Sequence, residues 1–433
     1  MCVENCPPPS NRLTRRGVLA GAAALAGTTA ALAAAAPGAS AAALATTTAH
    51  ASSGGAPRGG DLVIDGGTLL DPATGEVTED AVVVIRDGVV RAAGPRTRVD
   101  VPKGATVLDA HGQWVLPGLV DSHIHLNTAA EAAKTLALGA TTARSGSTNF
   151  YQDIAVRELA RQAPKLAPRL RAAGIFVTPD LGDTILADPD LTPLARLKGG
   201  VTSTEALRRV VEVNLARGVD TVKTRVNPRA GLAEQDPLEQ VYSREQLSTI
   251  VATARRGGKD VLCHSYSEKG CHDAVMAGVK SVEHGAFISE RTLHEMRRRG
   301  TYFTPTMVAI GGMIGDPDPV LDERGRTYLP KLKAAAKLAH ELGVGLVSGT
   351  DSSGGSVEPI GAEIEMMHSA GLSALDAIRT ATTNAARLLG FEGKVGRLAR
   401  GYAGDAILLS GNPLADVSVL KKPVRVVRAG VAV

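Results

Sequence analysis

Residues 119–126, LVDSHIHL, have the pattern of an apolar strand that ends in a His-x-His pair. Side chains two residues apart on a strand point to the same side, so His123 and His125 share one face. A single His-x-His pair is a weak signal, since a hydrogen-bonded structural histidine beside an exposed one is the commoner case. The pair gains weight from the strands that follow it.

Strands and helices alternate along the chain from about residue 116 to residue 389. The predicted strands are 119–126, 141–144, 170–177, 221–226, 260–264, 281–284, 302–304 and 344–348. Helical patterns separate them, among them 129–138, 204–217, 244–256, 290–299, 331–342 and 374–389. Eight such units in about 270 residues predict an α/β fold of the (β/α)8 TIM-barrel type. A doubly wound sheet would also alternate, but it does not predict polar groups at so many strand ends.

Polar groups stand at the carboxyl ends of five of these strands. They are His123, His125, Lys223, His264, His284 and Asp351. Neutral imidazoles and a carboxylate hold a divalent metal while leaving positions open for water, so the pattern predicts a catalytic metal site. An ammonium would be repelled by metal cations, and Lys223 therefore fits the site only if it is deprotonated and carboxylated to a carbamate. The alternative is an ordinary lysine whose amine reaches out of the barrel.

The order and spacing of these groups resemble a known family. The segments GLVDSHIH, GVDTVK, VLCHSY, SVEHG and SGTDS are similar to the motifs of the amidohydrolase superfamily, in its imidazolonepropionase-like branch with prolidase-type binuclear hydrolases. The segments NAA at 384–386, GDA at 404–406 and GNPL at 411–414 resemble the end of that family's barrel and its returning β segment. The resemblance extends from about residue 61 to residue 433.

The resemblance implies two divalent metal ions, with zinc the expected metal. His123, His125 and Asp351 would hold one ion, and His264 and His284 would hold the other. N6-carboxylated Lys223 would bridge them.

The implied reaction is hydrolysis of an amide or peptide bond. A metal-bound hydroxide attacks the substrate carbonyl, whose oxygen one metal polarises. Asp351 takes the proton from the hydroxide and passes it to the leaving amine, which makes it the expected catalytic residue.

Two residues are candidates for binding the substrate. Tyr266 lies two positions beyond His264 and could hydrogen-bond an oxyanion or a carboxylate, or it could be a half-buried loop residue. Arg144 could clamp a substrate carboxylate with two hydrogen bonds, and a structural ion pair is the equal alternative. The segments after strands two and four, 145–149 and 224–229, depart from the dipeptidase-like pattern. The metal ligands are unaffected, but the dipeptidase assignment stays open.

The sequence thus predicts a metal-dependent hydrolase of carbon–nitrogen bonds that cleaves dipeptides, C-terminal residues or N-acyl amino acids. The alternative is a hydrolase or deaminase of a cyclic or heterocyclic amide, because one fold serves both. The lysine of strand four disfavours the mononuclear deaminases. A binding protein without turnover is a third hypothesis, which the complete ligand set disfavours.

Short strands broken by turns occupy both ends of the chain outside the barrel, and we expect them to form one small β-sandwich. The predicted boundaries are a signal peptide at 1–45, a flexible linker at 46–60, the first part of the sandwich at 61–116, the barrel at 117–390 and the second part at 391–433.

The first 45 residues predict a twin-arginine export signal. Arg15 and Arg16 precede an Ala-rich uncharged stretch with small-residue cleavage patterns, so we expect an extracellular or periplasmic protein without a stable membrane span after processing. An uncleaved anchor is the alternative. Cys263 and Cys271 would remain after cleavage, as two separate thiols or as a disulfide.

The composition excludes several classes of protein. With 44% hydrophobic and 21% charged residues, the chain has the composition of an ordinary globular protein. Its 3% aromatic residues and its net charge of +4 do not indicate a surface that binds nucleic acid. The expected partner is a small amide or peptide substrate. A homo-oligomer stays open.

Overall fold

The computed structural model describes residues 60–433, except for the side chains of residues 183–185 and 195–196. The predicted signal peptide at 1–45 and the predicted linker, apart from Gly60, lie outside the described residues. In the part of the chain that is described, no helix has both the length and the apolar character needed to cross a membrane.

Strands from both ends of the described chain form one eight-stranded sheet. Its members are β1 (Leu62–Leu70), β2 (Val77–Arg86), β3 (Val89–Pro95), β4 (Thr106–Asp109), β5 (Trp114–Pro117), β13 (Ala406–Leu409), β14 (Arg425–Arg428) and β15 (Val431–Ala432). The two chain ends meet where β5 pairs antiparallel with β13. The strands are held together by a cluster of buried aliphatic side chains that includes Ile64, Val83 and Leu408. A separate second layer, as in a sandwich, stays a prediction.

The segment between β5 and β13 contains seven strands in two parallel sheets. One sheet contains β6 (Leu119–Ile124), β7 (Ala140–Ser145) and β8 (Arg169–Arg171), and the other contains β9 (Thr221–Arg225), β10 (Asp260–Ser265), β11 (Ser281–His284) and β12 (Tyr302–Thr304). The helices are α1 (Ala129–Ala137), α2 (Gln152–Gln162), α3 (Thr204–Ala216), α4 (Arg244–Arg256), α5 (Glu268–Ala277), α6 (Glu290–Arg299), α7 (Met307–Gly311), α8 (Pro319–Glu341), α9 (Ile360–Ser369), α10 (Ala374–Thr380) and α11 (Thr383–Leu388). The predicted α/β class is confirmed.

Single bridges and backbone hydrogen bonds join these sheets. A parallel bridge connects Val177 to Thr224, and another connects Phe303 to Leu346. On the other side of the Leu346 segment, the Ser122 amide donates to the Ser348 carbonyl at 2.9 Å. Closure into a complete eight-stranded barrel stays a prediction.

Two predicted strands differ from the structure. The third is β8, which ends at Arg171, and the segment up to residue 177 makes one bridge only. The eighth, 344–348, is not a regular strand: it is linked to β12 by a bridge at Leu346 and to the Thr380 carbonyl by the Ser348 amide. Both segments are apolar and buried, so burial alone did not reveal that their ladders are incomplete.

Two predicted helices also differ. The helix predicted at 331–342 begins twelve residues earlier, because Asp318 caps its first turn and Pro319 occupies the first helical position. The helix predicted at 374–389 is two helices, α10 and α11. It breaks where the Thr380 and Ala381 carbonyls accept hydrogen bonds from Ser348 and Val120 instead of continuing the helix.

The two cysteines of the described chain are both buried and both free thiols. Cys263 lies on β10, and Cys271 on α5 contacts the Ser265 hydroxyl at 3.2 Å. Of the two alternatives left by the sequence, the structure has the separate thiols.

Candidate metal centre

Two histidines at the end of β6 face the centre of the site with one ring nitrogen each. His123 and His125 are buried, as expected for side chains on one face of an interior strand. Nδ1 of His125 lies 2.8 Å from the Ser147 carbonyl oxygen, which can only accept. A neutral His125 therefore carries its proton on Nδ1 and presents the Nε2 lone pair to the site.

Asp351 lies against these two rings. Its amide donates to the His123 carbonyl at 2.7 Å, and its φ of 53° turns the chain sharply at this point. Its Oδ1 lies 3.1 Å from Nε2 of His125 and 3.4 Å from Nε2 of His123. The ligand atoms of all three residues lie within 4.8 Å of one another. Two acceptors at 3.1 Å repel unless they share a cation, so this group fits a metal ion.

Two further histidines present nitrogens that have no partner in residues 60–433. Nε2 of His264 donates to the Pro228 carbonyl at 2.9 Å, which leaves Nδ1 with the lone pair. Nδ1 of His284 lies 2.7 Å from the Thr306 hydroxyl, and that hydroxyl donates its proton to the Pro305 carbonyl. Thr306 Oγ1 is therefore an acceptor, and Nε2 of His284 holds an unpartnered lone pair. Buried lone pairs without donors are costly unless a cation uses them.

The environment keeps these rings neutral, the form that binds metals. Burial, and then the charge of Lys223, lowers the pKa of His123 to about 4. Burial lowers the pKa of His264 and that of His284 well below the usual value, and Lys223 adds to the lowering in both.

Lys223 lies beside the first pair of histidines. It is fully buried on β9, and its Nζ is 2.9 Å from Nε2 of His123. The ring centroid of His123 lies 5.4 Å from that of His284, so the first pair of histidines adjoins the second.

Arg144 lies in a polar network beneath His123. Its Nη2 contacts both carboxylate oxygens of Glu283 at 3.0 and 3.1 Å, and Nε donates to the Ser122 carbonyl at 2.7 Å. Glu283 in turn contacts Nδ1 of His123 at 2.7 Å. Burial would raise the pKa of Glu283, but Arg144 and then His123 hold it well below its usual value. The geometry matches the structural ion pair, not the substrate clamp, of the two alternatives that the sequence left for Arg144.

Tyr266 packs against the second pair of histidines. Its ring stacks on His284 with centroids 5.0 Å apart and meets His264 edge-on at 5.0 Å. The loop that carries it is fixed by Asn227, whose Oδ1 accepts from the Tyr266 amide at 2.8 Å. The structure therefore places Tyr266 beside two of the predicted metal ligands.

Sequence reasoning missed three residues that shape the site. Glu283 orients His123, and Thr306 orients His284. A Cβ at Gly146 would come within 2.6 Å of Nε2 of His123 and 2.8 Å of Nε2 of His125, so Gly146 leaves the space in front of both rings open. A charged residue inside an apolar strand was the available signal for Glu283. The sequence offers no comparable signal for Gly146 or Thr306.

Comparisons with known proteins identify similar sequences and similar solved structures. The chain is 26% identical over 404 residues to ochratoxinase of Aspergillus niger, with 82% of each chain covered. The crystal structure of that ochratoxinase has a TM-score of 0.72 at 23% identity and covers 86% of this chain and 95% of its own. A crystal structure of an Xaa-Pro dipeptidase with bound methionine has a TM-score of 0.76 at 24% identity, covering 86% of this chain and 99% of its own.

A family match settles the broader assignment. The model of the Amidohydrolase family matches residues 114–433, which include every predicted metal ligand. The prediction of an amidohydrolase, an enzyme that hydrolyses amide bonds, is thereby confirmed. The chain belongs to the amidohydrolase family.

Proposed function

We propose that the chain is a binuclear metal-dependent hydrolase of amide or peptide bonds. The observation that carries the proposal is the arrangement of four buried histidines. His125, His264 and His284 each have one ring nitrogen bound to a protein oxygen and the other directed at the site, and His123 is held in the same way by Glu283.

The residues divide into two ligand groups. His123, His125 and Asp351 would hold one ion, His264 and His284 the other, and Lys223, carboxylated by carbon dioxide, would bridge them. Zinc suits this donor set. When bound, the ions supply a water acidic enough to deprotonate near neutral pH and polarise the substrate carbonyl.

Asp351 is proposed to move the proton. One carboxylate oxygen, Oδ1, lies against His125, and the other, Oδ2, lies 4.0 Å from Nδ1 of His284. The carboxylate thus spans both ligand groups. It can accept a proton from the attacking water and deliver it to the leaving amine.

Tyr266 is proposed to position the substrate. Its ring is fixed by stacking on His284, so its phenol can donate a hydrogen bond from a constant position beside the ligands. Tyr266→Phe is expected to raise KM or lower kcat for substrates while leaving the metal content at the wild-type value. Tyr328→Phe, on a ring 5.8 Å from Tyr266, is the control for lost aromatic hydroxyls. We propose that Arg144 acts indirectly, by holding Glu283 and therefore His123.

Closure of the barrel and export of the protein are also proposals. The bridges at Val177 and Leu346 and the Ser122–Ser348 hydrogen bond support closure of the two parallel sheets into a (β/α)8 barrel. The twin arginine supports export by the twin-arginine route. Replacing Arg15 and Arg16 by lysine is expected to keep the protein in the cytoplasm, and unchanged export would refute that route.

Metal analysis combined with a substrate panel tests the proposed function. Protein purified without a metal-binding tag is expected to contain two equivalents of divalent metal. It should release amino acids from some members of a panel of dipeptides and N-acyl amino acids, a panel chosen because ochratoxinase and an Xaa-Pro dipeptidase are similar proteins. One equivalent of metal without turnover would overturn the proposal. Turnover of cyclic amides alone would favour the alternative substrate class.

A further inference from the structure

A charged cavity lies on the side of the parallel sheets where the strands begin, whereas the predicted metal ligands lie where the strands end. It has a volume of about 480 Å³. Its walls come from α2, β8, the start of β9, the turn after α11 and the end of β14. The cavity therefore touches both the α/β segment and the eight-stranded sheet, and the proposed mechanism does not use it.

The lining of this cavity is strongly basic. It contains five arginines and one aspartate, namely Arg157, Arg161, Arg169, Arg171, Arg428 and Asp220. Two acids outside the lining, Glu158 and Asp405, pair with some of the arginines. Five positive charges against three negative ones leave the cluster with a net charge of +2.

Neighbouring residues do not fully satisfy the charge and the hydrogen-bond donors of Arg428. The residue is 5% exposed, and Nη1 makes a long hydrogen bond of 3.3 Å to Asp405. Its buried Nε finds no hydrogen-bond partner in residues 60–433. Asp405 is shared, because Arg169 binds its other oxygen at 2.8 Å. Burial lowers the pKa of Arg428, and the nearby Arg169 adds to the lowering although Asp405 opposes it.

A buried guanidinium in an excess of positive charge is costly in free energy. Nε of Arg428 is closed to solvent, so an anion in the cavity would not bind it directly but would balance the excess positive charge around it. Guanidinium groups match the oxygens of a phosphate with two parallel hydrogen bonds. Phe391 forms an apolar part of the wall, so an organic group attached to the phosphate would also find a surface.

We propose that this cavity is a binding site for phosphate or a small phosphate monoester. The bound anion would contact arginines of α2, β8 and β14 and so connect the α/β segment to the sheet. We expect it to stabilise the fold, because a ligand that binds the native state alone raises its stability. The proposal does not depend on the proposed function, since the metal centre lies at the other end of the strands.

Isothermal titration calorimetry at constant ionic strength tests the site, with inorganic phosphate in one arm and phenyl phosphate in the other. Succinate serves as a carboxylate control. The informative variant is Arg161→Glu, because Arg161 is 63% exposed and pairs only with Glu158 among the ion pairs of the described chain. Arg428→Gln is less suitable, since it leaves buried Asp405 with one fewer partner and could impair folding. The matched control is Arg298→Glu on α6, whose side chain is also 63% exposed and pairs with a glutamate three residues earlier.

Saturable binding of one equivalent is expected for the wild type and for Arg298→Glu, with affinity at least about tenfold lower in Arg161→Glu. Tighter binding of phenyl phosphate would identify a monoester as the ligand, and equal binding would identify phosphate itself. Absence of saturable binding, or equal affinities in both variants, would overturn the proposal. Binding that a chelator abolishes and Arg161→Glu leaves unchanged would place the phosphate on the metals and would also overturn it.

Discussion

The two proposed ligand groups of the candidate metal centre differ in how many protein ligands each can offer a metal ion. In the first group, Nε2 of His125 faces the Asp351 carboxylate at 3.1 Å, and His123 faces both Asp351 and Lys223. In the second group, Nδ1 of His264 and Nε2 of His284 have no partner in the described chain. The first group offers a metal three ligands of its own, whereas the second offers two.

Under the proposed function, this difference predicts that a second ion would depend on the Lys223 bridge. Two imidazoles fill half of a tetrahedral shell, so Lys223 as the proposed carbamate and water would supply the other half. The first group contains a carboxylate and should hold its ion more tightly. We therefore expect a chelator to remove one equivalent of metal well before the other.

The largest effect is expected for Lys223→Ala, which tests whether the two groups share a bridge. The metal content should fall from two equivalents to one or less, and kcat should fall by about 10³-fold or more, because metal activation is worth several kcal/mol. Plasma mass spectrometry and turnover of the best panel substrate measure both. Lys280→Ala, at the start of β11, is the control for loss of a lysine.

Short carboxylic acids sharpen this result. If the bridge is a carbamate, acetate or propionate can enter the space left by the alanine and restore metal binding in part. Retention of two equivalents by Lys223→Ala without added acid would show that Lys223 does not bridge the groups.

The next largest effect is expected for a substitution that blocks the space in front of the first ligand group. Gly146→Ala places a methyl group within 2.8 Å of Nε2 in both His123 and His125, and the atoms nearest to it all belong to these two rings of the first group. We expect loss of the first ion and a fall in kcat/KM of about 10²-fold or more. Gly311→Ala, where the nearest atom is 3.5 Å away, is the control. Wild-type metal content in Gly146→Ala would mean that the first ion is not bound in front of these rings.

The sequence predicts those parts of the site that follow from local pattern, and it does not predict those that depend on contacts between distant residues. The four histidines lie at the ends of β6, β10 and β11, and Asp351 follows the buried segment 344–348. Parallel strands bring their ends together, so local pattern and fold class were sufficient to predict that these residues lie close to one another. Arg144 occupies a similar position at the end of β7, yet it is buried against Glu283, 139 residues further along the chain. Gly146 and Thr306 affect the site because they lie close to histidines that are about 20 residues away in the sequence, and such contacts cannot be read from the local pattern. Likewise, the helix breaks between α10 and α11 because the Thr380 and Ala381 carbonyls accept hydrogen bonds from Ser348 and from Val120 of β6. Helical periodicity in the sequence does not reveal these hydrogen bonds.

A smaller effect is expected from the residues that orient the histidines, and here the groups can be compared directly. Glu283→Gln weakens the acceptor for Nδ1 of His123, and Thr306→Val removes the acceptor for Nδ1 of His284. Such changes cost about 10–100-fold in metal affinity. Competition with a chromophoric chelator should show the loss at the tightly bound ion in Glu283→Gln and at the weakly bound ion in Thr306→Val. Identical curves for the two variants would contradict the division into two groups.

The smallest effect concerns Glu363, a buried carboxyl behind the second group. It lies on α9 and accepts hydrogen bonds from the Met307 and Val308 amides at 2.9 and 2.8 Å, which fixes the turn that carries Thr306. Burial raises the pKa of Glu363 to about 8, although these two amides oppose the shift. The folded chain therefore retains this proton to higher pH than the unfolded chain, whose glutamates ionise near pH 4.5.

The sign of the pH dependence follows from that difference. Below pH 4.5 Glu363 is protonated in both states, and as the pH rises towards 8 the unfolded chain releases the proton first, so this residue lowers stability progressively. Glu363→Gln removes that dependence. The substitution also replaces one acceptor oxygen by an amide group, which should cost about 1 kcal/mol at acidic pH. Thermal unfolding of both proteins between pH 5 and 8.5 should therefore show the wild type more stable at the acidic end and the variant gaining relative to it as the pH rises. Because the metal centre titrates in both proteins, a constant difference between them across this range would show that Glu363 is already ionised in the fold.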